Sequence, residues 1–105
     1  ADIRPDATVA LDKVVDFMNK NPKLTIELGS HTDSRSSDSY NDGLSQRRAQ
    51  SAVQYIVSKG VSQNRITAKG YGETKLVNHC SDGVKCNDDL HQQNRRTEIK
   101  ITGYN

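Results

Sequence analysis

Leu24-Thr25-Ile26-Glu27-Leu28-Gly29 places an apolar side chain at every second position and closes on a glycine. That alternation predicts a strand with one buried face. The flanking stretches follow a different period. Upstream, Ala7, Leu11, Val14, Val15 and Met18 fall at i, i+4, i+7, i+8 and i+11, one apolar stripe of a helix. Pro5 suits the first helical turn, and Asn21-Pro22 ends the helix because the residue before a proline avoids helical angles. Downstream, Ser30 to Asn41 is polar and aperiodic, a loop near the length at which structureless loops carry a function.

Further along, Leu44, Ala49, Ala52, Val53, Ile56 and Val57 predict a second helix over 42–59, with Gly60 as the left-handed residue after its last turn. Ile66, Ala68 and Gly70 alternate in a second strand that runs into Tyr71-Gly72-Glu73. A long polar loop over 74–89 holds both cysteines, and 88–94 reads as a short helix. The last strand covers 96–102, with Thr97, Ile99 and Ile101 on one face and Glu98 and Lys100 on the other. Helices alternating with strands make the class α/β or α+β, in two layers. Three strands are a thin sheet, and a further strand before Ala1 would complete it.

Composition narrows the function. A chain of 105 residues suffices for one domain and not two. With 32% hydrophobic residues, no Trp and one Phe, the core must be small and built from Leu, Ile, Val and Ala. A formal charge of +2 with both signs interleaved lacks the concentrated basic face of nucleic-acid binders, so no nucleic acid is expected. No apolar run approaches the ~18 residues of a membrane span, so this chain holds no transmembrane segment. No signal peptide is visible, and the abrupt start at Ala1-Asp2-Ile3-Arg4-Pro5 points to an excised piece of a larger protein. Cys80 and Cys86 lie close enough to form a disulfide, which would mean an oxidising compartment. Two free cytosolic thiols are the alternative, and spacing leaves both open.

The chemistry concentrates in His31-Thr32-Asp33, Asn41, and Leu44-Ser45-Gln46-Arg47-Arg48-Ala49. Asp33 follows a strand at its carboxyl end, the edge where sheet-and-helix folds commonly bind ligands. Arg48 belongs to the next helix, and the intervening loop can fold back to set a carboxylate and a guanidinium across one cleft. Both are expected to be exposed, away from the apolar stripes. Such a pair suits an amino-acid zwitterion: the carboxylate meets the ammonium, and the planar guanidinium takes the carboxylate. Backbone amides near Asn41 to Leu44, at the expected helix start, could donate to the same anion. On spacing alone a plain structural ion pair, or two independent surface charges, is the commoner arrangement, and nothing in the spacing singles out a zwitterionic ligand.

Several motifs, in order and at matching spacing, carry a resemblance. Thr32-Asp33, Asn41, Leu44-Ser45 and Arg48-Ala49 resemble the signature of the OmpA C-terminal domain family. Gly70-Tyr71-Gly72-Glu73 and Asn94-Arg95-Arg96 leading to Glu98 do so as well. The family includes porin-like outer-membrane proteins, peptidoglycan-associated lipoproteins and flagellar stator anchors. The resemblance implies a two-layer α/β sandwich, a mixed sheet with two main helices on one face, formed by residues 1–105 as part of a larger envelope protein. It implies a periplasmic, non-enzymatic module, associated with the outer membrane through the rest of that protein. The module would need no cofactor and would bind peptidoglycan through meso-diaminopimelate. By position, Asp33 and Arg48 match the principal diaminopimelate contacts, and Asn41 and Leu44 lesser ones. Arg95 is expected to flank the cleft, whereas Arg96 packs against the sheet. Versions with a longer loop and paired cysteines occur in the family, and the periplasmic placement that the resemblance implies favours a Cys80–Cys86 disulfide. The family's first strand and an acidic loop residue would precede Ala1, and Ser36 or Ser37 stands where the family often has Gly.

Other readings are weaker. His31 and Asp33 with a loop serine do not make a triad, since no strained nucleophile turn is present and Ser30, Ser34, Ser36 and Ser37 lie in a polar stretch. His79, Cys80, Cys86 and His91 match none of the usual zinc spacings, and Asp82, Asp88 and Asp89 lack a twelve-residue calcium loop. Tyr40, Tyr55, Tyr71 and Tyr104 are too scattered for a base-stacking platform. The competing function is a module that keeps the fold but has lost the ligand, contacting other envelope proteins instead.

Overall fold

Apolar periodicity in this chain resolves into two helices laid on one face of a three-stranded sheet. The computed structural model describes residues 5–35, 37–78, 80, 85–87, 90–91 and 94–104. Helix α1 spans Pro5–Lys20, strand β1 Leu24–His31, helix α2 Asp38–Ser58, strand β2 Ile66–Gly72 and strand β3 Arg96–Tyr104, with a 3-10 turn at Gln63–Arg65. The order across the sheet is β2-β1-β3. β1 is parallel to β2 and antiparallel to β3, so the sheet is mixed.

One apolar cluster joins the layers. Leu11, Val15 and Met18 of α1 and Ala49, Ala52, Val53 and Ile56 of α2 meet Ile26 and Leu28 of β1 and Ile66 of β2. Met18, Leu28 and Ile56 are fully buried. A glycine on β2 lets α2 lie close: a Cβ at Gly70 would run into the Gln46 backbone. That closeness lets Gln46 Oε1 accept the Gly70 N–H at 2.8 Å and Ser45 Oγ accept the Gly72 N–H at 2.9 Å. The helix thus satisfies backbone donors of an edge strand that would otherwise recruit a foreign strand. After α2, Gly60 takes φ 106°, as its position predicts, and Val61 folds back into the core.

Arg65 ties the layers at the opposite end. Its Nε donates to the Leu24 carbonyl at 3.1 Å, and its Nη2 to those of Met18 at 3.0 Å and Asn21 at 2.7 Å. These are carbonyls of the α1–β1 turn, left over where a helix ends.

Element boundaries depart from the sequence reading in ways that matter for the site. β1 does not stop at Gly29 but continues to His31, and α2 starts at Asp38 rather than Asp42. The polar loop therefore shrinks to 32–37. Ser37 caps α2 by accepting the Tyr40 N–H at 3.3 Å, a signal that polar composition concealed. β3 runs to Tyr104, and its apolar residues are not all buried: Ile99 is 38% and Ile101 57% exposed. They border a shallow apolar cleft with Val14 and Phe17 of α1. Of the expected helix over 88–94, Leu90, His91 and Asn94 are helical. Ala1 to Arg4, Ser36, His79, Asp82, Asp88 and Asp89, and the side chain of Ala7, lie outside the described residues.

Candidate functional site

The charged residues gather where the central strand ends. His31 is the last residue of β1 in register, opposite Gly72 of β2 and Arg96 of β3. The next residue, Thr32, is still held against β2, its N–H donating to the Gly72 carbonyl at 2.8 Å. Asp33 follows and is buried, only 7% exposed, contrary to the exposed position expected for it.

The Asp33 carboxylate takes four donors. Oδ1 accepts the Arg35 backbone N–H at 3.0 Å, closing an Asx turn. Oδ2 accepts Arg35 Nε at 3.2 Å, Arg35 Nη2 at 2.9 Å and Arg95 Nη1 at 2.6 Å. Burial alone would raise the Asp33 pKa, but the hydrogen bonds from the Arg35 side chain and backbone and from Arg95 outweigh it and hold the pKa at about 2. Asp33 is therefore a carboxylate at every physiological pH.

Five residues singled out from the sequence come together. Asp33, Asn41, Leu44, Arg48 and Arg95 line one cleft of about 420 Å³, joined by Thr32, Arg35 and Tyr40. The lining carries three guanidiniums against one carboxylate, so the cleft is net cationic. Arg48 stands on α2 with its side chain exposed, and among the described residues no ion pair joins it to Asp33. Because α2 starts earlier than expected, Arg48 lies well inside the helix rather than in its opening turns. The idea that amides near Asn41 to Leu44 are free also fails, since the Asn41 N–H already donates to the Ser37 carbonyl at 2.9 Å. Asn41 acts through its side chain: its Nδ2 donates to the Asp33 carbonyl at 3.2 Å and approaches Glu73 Oε1 at 3.5 Å. It fixes the backbone that carries the carboxylate.

The cysteine loop braces the other wall. Cys80 and Cys86 are joined in a disulfide, so neither sulfur is available to a metal, which removes the zinc reading. Buried Ser34 donates its hydroxyl to the Cys80 carbonyl. Asn78 Oδ1 accepts the Cys80 N–H at 3.1 Å and Asn94 Nδ2 at 2.9 Å, while Asn94 Oδ1 accepts the Val77 N–H at 2.8 Å. Asn94 directly precedes Arg95, so this network sets the guanidinium that reaches Asp33.

A second cleft, of about 500 Å³, contains His31, Tyr71 and Glu98. The His31 and Tyr71 rings stack with centroids 4.9 Å apart, and Tyr71 donates its hydroxyl to Glu27 at 2.5 Å. His31 Nε2 lies 3.2 Å from Glu98 Oε1, and among the described residues its buried Nδ1 has no partner. Burial and the nearby Arg96 charge lower the His31 pKa, against the opposing pull of Glu98. The ring is thus neutral, and an unprotonated Nδ1 is the less costly atom to leave unpaired. His31 faces a different cleft from Asp33, and among the described residues no serine hydroxyl bonds to it. Arg96 reaches Glu98 at 3.0 Å and the Lys75 carbonyl at 2.7 Å, on the sheet as expected.

Arg35 is the cleft residue that sequence reading missed. Its signal was its place two residues after Asp33, the offset of an Asx turn.

Comparison with known proteins agrees with the motifs. The chain is 41% identical over 111 aligned positions to outer membrane protein A of Escherichia fergusonii, covering 98% of this chain and 45% of that protein. It is 44% identical over 101 positions to a protein named photosystem I P700 chlorophyll a apoprotein A2 from Gloeobacter violaceus, covering 94% of this chain but 12% of that one. The chain thus spans less than half the length of these curated relatives. The fold matches the peptidoglycan-associated lipoprotein of Burkholderia pseudomallei with a TM-score of 0.81 at 22% identity, over 95% of this chain and 80% of that one. It matches the cell wall anchor of the type VI secretion system (T6SS) of Pseudomonas aeruginosa with a TM-score of 0.78 at 27% identity, over 96% and 69%. Two helices on a mixed three-stranded sheet, paired cysteines and a family description that matches residues 1–89 converge, and the chain belongs to the OmpA family.

Proposed function

We propose that this domain binds peptidoglycan non-covalently through the diaminopimelate of the stem peptide and anchors a longer envelope protein to the cell wall from the periplasm. The observation that carries the reading is the convergence of Asp33, Asn41, Leu44, Arg48 and Arg95 on one cleft at the carboxyl end of β1. The free end of diaminopimelate is a zwitterion. Its ammonium is matched by the carboxylate of Asp33. Its carboxylate is matched by Arg48, whose planar fork can donate two parallel hydrogen bonds. The surplus of positive charge in the cleft favours a ligand that brings an anion with its amine. Two of the similar proteins are named for peptidoglycan association and for cell-wall anchoring, and the disulfide suits an oxidising compartment.

A second reading has one observation in its favour. Asp33 is already neutralised by Arg35 and Arg95, as in a domain that keeps the fold and serves only as a contact module in an envelope complex. Co-sedimentation with purified sacculi separates the two. The wall-binding reading expects wild type in the pellet and Asp33→Ala and Arg48→Ala in the supernatant. Wild type remaining in the supernatant supports the contact module.

A further inference from the structure

Oδ2 of Asp33 is the crowded oxygen: three donors, Arg35 Nε, Arg35 Nη2 and Arg95 Nη1, share its two lone pairs, while Oδ1 accepts the Arg35 backbone N–H. An ammonium that takes Oδ2 must therefore displace one of these guanidiniums. The two arginines are not equally easy to move. The Arg95 side chain is 23% exposed and its bond is 2.6 Å. The Arg35 side chain is 49% exposed and its bonds are 2.9 and 3.2 Å. Arg35 also stands on the short loop between β1 and α2, and its backbone N–H bond to Oδ1 does not involve the guanidinium.

We propose that Arg35 is a displaceable self-ligand that sets the specificity of the cleft: its guanidinium holds the ammonium position on Asp33 until a zwitterion replaces it. The inference rests on the wall-binding reading above. A ligand with only an amine must evict Arg35 and then leave three guanidiniums and an ammonium around one carboxylate. A ligand with an adjacent carboxylate gives the evicted Arg35, as well as Arg48, an anion to meet. Arg35 thus penalises the simple amine more than the zwitterion. A purely structural role, holding Asp33 in place as Arg95 does, would make its loss weaken both ligands alike.

The test titrates wild type, Arg35→Ala and Arg35→Gln with two soluble muropeptides, one with meso-diaminopimelate and one with lysine at the same position. Amide NMR spectra confirm that each variant is folded, and the side-chain Nε–H signal of Arg35 is followed in wild type. In both variants the lysine muropeptide should bind at least threefold tighter than to wild type, the diaminopimelate muropeptide should change less, and the ratio between them should narrow. In wild type the Arg35 Nε–H signal should shift when the diaminopimelate muropeptide is added. An unchanged or wider ratio, or equal weakening of both ligands, overturns the self-ligand while leaving wall binding in place. Wild type binding neither muropeptide overturns both, and a static Arg35 signal in a wild type that does bind overturns the self-ligand alone.

Discussion

Two ion clusters flank the end of β1 and are built from nearly the same parts. In one, Asp33 meets Arg35 and Arg95; in the other, Glu98 meets Arg96 and His31. Arg95 and Arg96 are chain neighbours, yet they serve different clefts. The difference is burial. The Asp33 side chain is 10% exposed and takes four donors, whereas that of Glu98 is 56% exposed. Similar groups make a buried, charge-paired cluster in one place and a more screened pair around an exposed carboxylate in the other. Substitutions that treat the two alike should therefore give very different results.

The largest effect is expected from Asp33→Ala. Truncating one partner of a desolvated charge pair costs on the order of 2–5 kcal/mol, enough to lose sacculus co-sedimentation. Stability should fall too, since two guanidiniums lose their carboxylate, and a urea melt should show it. Arg48→Ala should lose binding with the melt unchanged, because Arg48 is exposed and unpaired among the described residues. Equal melts for the two variants would break the distinction between a buried and an exposed charge.

Acid should expose the same asymmetry. The folded pKa of Asp33, about 2, lies below the ordinary aspartate value of 3.8. A depressed pKa stabilises above the unfolded value and is lost as pH falls, so up to ~2 kcal/mol should disappear between about pH 5 and pH 2. Asp33→Asn should flatten that part of the stability profile. His31 runs in the same direction at higher pH, because its lowered pKa stabilises the neutral ring above about pH 6.5 and is lost on acidification.

The disulfide contributes at a similar scale. Closing so short a loop stabilises by ~2 kcal/mol in the chain-entropy model. Cys80→Ser with Cys86→Ser should lower the melt by that amount and loosen Arg95 through Asn78 and Asn94. An unaltered Arg95 side-chain NMR signal in that variant would separate the loop from the cleft. The smallest effect belongs to Glu98→Ala, under about 1 kcal/mol in stability and none on sacculus binding, because the Glu98 carboxylate is 56% exposed.

The pattern of what the sequence revealed follows the same division. Alternation at Leu24 to Leu28 and the helical stripe ending at Met18 marked the core, since burial writes periodicity directly into composition. Asp33, Arg48 and Arg95 were legible through motif spacing, a resemblance rather than a derivation. Polar composition hid the start of α2, because Ser37 to Asn41 form a capped first turn with few apolar residues to announce it. Arg35 left only a short-range signal, the Asx-turn offset from Asp33, because a loop that turns back on itself leaves no period. β3 was read correctly as a strand, but its apolar alternation did not tell how little of Ile101 the two helices cover.

The cleft is proposed to read a zwitterion. Calorimetric titration of the wild-type domain with the two muropeptides tests it most directly, since they differ only by the carboxylate at the far carbon of the side chain. A charge-assisted hydrogen bond contributes ~1.5–3 kcal/mol, so the diaminopimelate form should bind at least about tenfold tighter than the lysine form. Equal affinities would mean that Arg48 meets no carboxylate, and would contradict the account.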